Sequence, residues 1–136
     1  MWQNGEAPGH DDPARLGEFS WNELATDDWQ AAWAFYSGLF GWRKDDAMDM
    51  GEMGTYQIFN RGAHQLGGFF DKPAEMPAPA WIFYVRVADA DEAAKKAEEL
   101  GGRILNGPMD VPGGDRIAQL ADPQGAVFAV HSRADG

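Results

Sequence analysis

WNELATDDWQAAWAFYSGLFGW at residues 21–42 runs from alternating residues, through an aspartate pair, into an apolar stripe of helical spacing, and stops at glycine. Sixty-one residues further on, IFYVRVADADEAAKKAEELGGR at residues 82–103 repeats that order. Asp89 stands where Asp28 stood, and Gly101 closes the second helix as Gly41 closes the first. An internal repeat outranks any single motif in reading a fold, because each copy must be one supersecondary unit. Short alternating runs cut by glycine follow both copies, so the sequence predicts two βαβββ modules.

Working outward, Phe19 to Thr26 is the first predicted strand, with Phe19, Trp21, Glu23 and Ala25 on one face and Ser20, Asn22, Leu24 and Thr26 on the other. Asp27 or Asp28 caps a helix whose stripe is Trp29, Ala32, Trp33, Tyr36, Leu39 and Phe40. Strands near 43–50, 55–61 and 65–70 complete the first module. In the second, Trp81 to Val87 is a strand, and Asp89 or Asp91 caps a helix with Ala90, Ala93, Ala94, Ala97 and Leu100 inward. Strands at 103–110, 115–121 and 126–132 follow, the last two joined by a DPQG turn at residues 122–125.

The expected fold class is α+β, with one domain over residues 17–136: module one at 17–72, a connector at 73–80 and module two at 81–132. Residues 1–16 have few apolar anchors beyond Trp2 and read as an arm or linker outside the core.

A chain of 136 residues can bury one substantial core. At 44% hydrophobic and 12% aromatic it is expected to be ordered, while a mean hydropathy of -0.47 and short apolar runs speak against a membrane span. MWQNGEAPGHDDPARLG lacks a basic segment followed by an apolar one, so a cytoplasmic protein is expected. The absence of cysteine removes disulfides, thiolate nucleophiles and cysteine-based metal sites together. A net charge of -11 disfavours nucleic acid, whose phosphates need basic side chains; it either serves solubility alone or tolerates and steers cationic ligands.

WNELATDD at 21–28, FYSGLFGW at 35–42, GGF at 67–69, ELGGRI at 99–104, GPMDVPGGDRIA at 107–118 and DPQGAVFAV at 122–130 together resemble the vicinal oxygen chelate superfamily, the glyoxalase, bleomycin-resistance and extradiol-dioxygenase group. The resemblance is greatest to bacterial glyoxalase-like proteins that carry two such domains in tandem, and MWQNGEAPG is similar to their inter-domain linker. It implies paired βαβββ modules forming an open, cup-shaped β-barrel with helices outside and a ligand cavity on the concave face. It also implies a homodimer.

In metal-using members the first and last strands of each module supply the ligands. By the 61-residue offset those positions here are Trp21, Gly68, Ile82 and Ala129, none of which can ligate. No metal or other cofactor is therefore expected. His131, on the face of Ala129, and His64, in a turn, read as rim histidines.

On this face assignment Trp21, Glu23, Ala25, Ile82, Tyr84, Arg86, Val127 and Ala129 line the cavity, with Tyr56 as a further aromatic wall and His131 beside it. A cup of this composition suits a small organic ligand. Glu23 is a carboxylate on a central strand between Trp21 and Ala25: a candidate general base, an anchor for a cation, or a structural group tied to Arg86 or Tyr84. No serine sits in a nucleophile elbow with a histidine partner, and GEMG and PGG read as turns. Three classes remain: a metal-free binding protein for a cationic or aromatic molecule, a metal-free glyoxalase-like enzyme using Glu23, and an interaction domain with a vestigial cavity.

Overall fold

In the computed structural model, which describes residue 10 and residues 12–134, Asp28 lies in extended backbone and its carboxylate accepts hydrogen bonds from the Gln30 and Ala31 amides. Those amides begin helix α1, Trp29–Phe40, which Gly41 ends in the left-handed conformation at φ 72 while its N–H bonds to the Ser37 carbonyl. Asp89 repeats the device, accepting from the Asp91 and Glu92 amides at the start of α2, Ala90–Glu99. The expectation for Trp2 lies outside the described residues.

The strands are β1 Phe19–Thr26, β2 Arg43–Asp49, β3 Thr55–Arg61, β4 His64–Asp71, β5 Ala80–Arg86, β6 Arg103–Asp110, β7 Arg116–Ala121 and β8 Val127–Ser132. They form one open sheet in the order β2-β3-β4-β1-β5-β8-β7-β6. Within each module the first and last strands pair in parallel, β1 with β4 and β5 with β8; the modules meet where β1 and β5 pair antiparallel. The repeat read from sequence is reproduced in the register. Glu23 lies opposite Gly68 and Tyr84 opposite Ala129, each one 61-residue step from its counterpart. The α+β class with paired βαβββ modules is as expected. Among the described residues no helix is long and apolar enough to cross a membrane.

The helices cover the convex side with two differently built cores. Under α1, Leu24, Trp29, Phe59 and Phe69 are buried, with Trp33, Tyr36 and Trp42 packed against them. Under α2 the buried set is Ala90, Ala94, Ala118, Leu120 and Val130, so an alanine stripe lets that helix lie close to the sheet. Phe59 and Phe69, at 1% and 0% exposure, are the fully buried rings among the described residues. Burying each contributes on the order of 2–3 kcal/mol.

Strand alternation fails at one place. The β1–β5 register shifts between Phe19 and Trp21, leaving Ser20 as an extra residue. A bulge reverses the facing of everything on its far side. Phe19, expected on the strand face of Trp21, Glu23 and Ala25, instead stacks on Phe83 of the convex face with ring centroids 4.6 Å apart, and Ser20 turns toward His131 on the concave side. His64 is likewise the first residue of β4 rather than part of the preceding turn.

A buried carboxylate in an aromatic and methionine-lined cavity

Glu23 occupies the central strand junction and is 8% exposed. Tyr84 donates its hydroxyl hydrogen to Glu23 Oε2 at 2.9 Å, and Tyr56 hydrogen-bonds the same carboxylate. Burial pushes the Glu23 pKa up by more than the two tyrosine hydrogen bonds pull it down. Both phenols are themselves shifted upward, first by burial and then by the charge on Glu23, so they remain protonated donors. Trp21 Nε1 donates to the Tyr56 hydroxyl at 2.8 Å, and Gln119 Nε2 to the Tyr84 hydroxyl at 3.3 Å. Two relays of donors thus converge on one acceptor.

Of the two structural partners expected for Glu23, Tyr84 is the one engaged. Arg86 lines the same cavity but sends Nη1 to the Ala14 carbonyl at 2.6 Å. Its Nε is buried and, among the described residues, has no hydrogen-bond partner.

The four inherited metal-ligand positions do not fit a metal. A Cβ on Gly68 would stand 2.1 Å from the Tyr56 ring, so that ring fills the space a ligating side chain would need. Ile82 and Ala129 are buried beside Tyr84, with Trp21 packed against them, as a closed apolar floor. Among the described residues no group of three or more His, Cys, Asp or Glu is placed to hold an ion.

The cavity has a volume of about 1870 Å³ and is lined by Trp21, Glu23, Ala25, Tyr56, Ile82, Tyr84, Arg86 and His131 of the expected set. Two of the expected residues do not line it: Ala129 is fully buried behind Ile82 and Tyr84, at 0% exposure, and Val127 is 45% exposed at the start of β8. Sequence reasoning missed the methionines. Met48, Met50, Met53, Met76 and Met109 all line the cavity, which is every methionine of the chain except Met1. The crowding of three into residues 48–53 was the available signal. Unbranched thioethers make such a wall soft and adaptable.

His131, read from the sequence as a rim histidine, has a partner on each ring nitrogen. Its Nδ1 lies 3.1 Å from Ser20 Oγ and its Nε2 lies 2.6 Å from Asp115 Oδ2. Asp115 precedes β7 and is fixed through its other oxygen by the Ala134 amide at 2.9 Å. Burial pushes the Asp115 pKa up, but the hydrogen bonds from His131 and Ala134 outweigh it and leave the carboxyl below its ordinary value.

Compared with known families, residues 16–130 match the Glyoxalase/Bleomycin resistance protein/Dioxygenase superfamily. CFP32 of Mycobacterium bovis, provisionally named a glyoxylase, is 35% identical over 130 residues, which cover 96% of this chain and 49% of CFP32. The anthracycline biosynthesis protein DnrV of Streptomyces peucetius is 36% identical over 129 residues, covering 84% of this chain and 46% of DnrV. The chain therefore spans about half the length of these curated relatives. Methylmalonyl-CoA epimerase of Streptomyces coelicolor superposes with a TM-score of 0.66 at 18% identity, over 88% of this chain and 99% of that one. The Mycobacterium tuberculosis epimerase gives 0.63 at 15%, over 87% and 88%. At such identities the likeness concerns the fold.

Proposed function

The chain belongs to the glyoxalase/bleomycin resistance protein/dioxygenase superfamily, and from that premise we propose that it binds a small cationic aromatic molecule in its cavity without a metal ion. The observation that carries this reading is Glu23, a carboxylate at the floor of an aromatic and methionine-lined cup whose protein partners are neutral tyrosine donors rather than a cation. A buried charge is costly unless it is paired, so a bound cation would supply what the protein does not. Rings stacking on Trp21 and Tyr56 would supply the apolar area. DnrV is named for anthracycline biosynthesis, and a fused-ring aromatic is the class of molecule such walls suit. The acidic net charge of -11 would draw a cation in. As in the sequence reading, the working unit is proposed to be a homodimer.

A thermal-shift screen of aromatic amines, followed by titration of the hits, tests the proposal. Glu23→Gln should weaken a cationic hit by about 1–3 kcal/mol, the scale of a charge-assisted contact. Equal affinity of wild type and variant for every hit would remove Glu23 as the anchor.

The raised pKa of Glu23 favours one second reading, a metal-free lyase or isomerase with Glu23 as general base. In that case the same substitution leaves affinity nearly unchanged and lowers turnover about 100-fold or more.

A further inference from the structure

We propose that Ser20, His131 and Asp115 form a second reactive centre at the cavity mouth, an acyl-transfer site in which the Ser20 hydroxyl attacks carboxylic esters of small apolar or aromatic alcohols. Its geometry is that of a nucleophile, a base and an orienting carboxylate in line. Ser20 Oγ is 3.1 Å from His131 Nδ1, and His131 Nε2 is 2.6 Å from Asp115 Oδ2. The carboxylate is held in turn by the Ala134 amide on its other oxygen. With the Nε2 hydrogen donated to Asp115, the Nδ1 lone pair faces the serine hydroxyl, which is the tautomer a general base requires.

The bulge is what makes the contact. On an unbroken strand Ser20 would face the helix side with Leu24, but the extra residue turns it toward His131. Among the described residues the Ser20 hydroxyl has one other acceptor, the Tyr84 carbonyl, at the longer distance of 3.4 Å. The centre is reachable from solvent, with the His131 and Asp115 side chains 18% and 36% exposed. Arg86, opposite His131 in the β5–β8 register, lines the same cavity and brings a positive charge to its wall, although its Nη1 is engaged by the Ala14 carbonyl.

In the reaction, Ser20 Oγ adds to the ester carbonyl carbon while its proton passes to His131 Nδ1. The tetrahedral oxyanion collapses, the C–O bond to the alcohol breaks, and the leaving oxygen takes the proton from His131. Water, deprotonated by His131, then adds to the acyl-serine; collapse releases the carboxylic acid and returns the proton to Ser20. No oxidant, reductant or metal is needed.

The test treats the whole chain with a fluorophosphonate and, separately, with 4-nitrophenyl acetate, reading intact mass, the labelled peptide and nitrophenolate release. The expected result is one adduct on Ser20 with loss of fluoride, absent in Ser20→Ala and unchanged in a Ser37→Ala control. Ester turnover should fall about 100-fold or more in His131→Gln and in Asp115→Asn. Should His131→Gln fail to fold, Asp115→Asn, which retains an oxygen for the Ala134 amide, decides alone. No adduct on folded wild-type protein, labelling at Ser37 or Ser132 instead of Ser20, or unchanged turnover in Ser20→Ala would overturn the proposal. So would full activity in Asp115→Asn, which would reduce the three residues to a tie between strands.

Discussion

Glu23 should make the protein less stable as pH rises. Its folded-state pKa lies above the ordinary carboxylate value because burial outweighs the Tyr84 and Tyr56 hydrogen bonds, so the native state holds the proton more tightly than the unfolded chain does. The resulting stability is complete below the unfolded pKa and is lost as pH climbs through the folded one. Glu23→Gln cannot ionise, so its melting temperature should exceed that of the wild type above this window, and the gap should close in acid. Melting curves across pH 5–9 check the expectation, and a gap independent of pH would contradict it. A cationic ligand needs the ionised carboxylate, so its affinity should rise over the same interval and then level off. Trp21, Glu23 and Tyr84 were legible in the sequence because they lie beyond the bulge, where alternation holds. The partners of His131 were not, since Asp115 and Ser20 lie 16 and 111 residues away and one depends on a register shift.

At the scale of elements, the aspartate caps and the glycine stop of α1 were readable from local chemistry and recur in the structure. The meaning of the Gly67-Gly68 pair was not, because it depends on what another strand brings. A Cβ on Gly67 would stand 1.5 Å from the Asn22 carbonyl oxygen, so β1 and β4 can pair only if that position is bare. A Cβ on Gly68 would instead strike the Tyr56 ring at 2.1 Å, and a side chain can swing where backbone cannot. Gly68→Ala should therefore cost about 1–3 kcal/mol, with a change in Trp21 fluorescence as the Tyr56 contact breaks. Gly67→Ala should cost more and loosen the β1–β4 ladder. Urea melts and amide exchange of the two variants give the ranking, and equal stability would mean that the close strand approach does not limit the fold.

At the scale of the molecule, the repeat yields a cup whose concave side is specialised and whose convex side stays incompletely covered. Between the helices Phe19, Trp81 and Phe83 are 66%, 40% and 38% exposed, and Phe83 stacks on both Phe19 and Phe128. Contiguous exposed aromatics of this kind are characteristic of a protein contact. The relatives CFP32 and DnrV are about twice as long as this chain, and the proposed homodimer would bring together two copies of it. Two copies each carrying -11 repel, so association must come from apolar area and should tighten as salt screens the charge. Sedimentation at about 10 micromolar should give a dimer whose dissociation constant falls between low and moderate ionic strength. Phe83→Glu should shift it to monomer while leaving the circular dichroism spectrum unchanged, because the ring lies on the surface and not in either core. A monomer at every salt concentration would remove the dimer. A dimer that survives Phe83→Glu would place its interface elsewhere, with the sheet edges at β2 and β6 the next surfaces to alter.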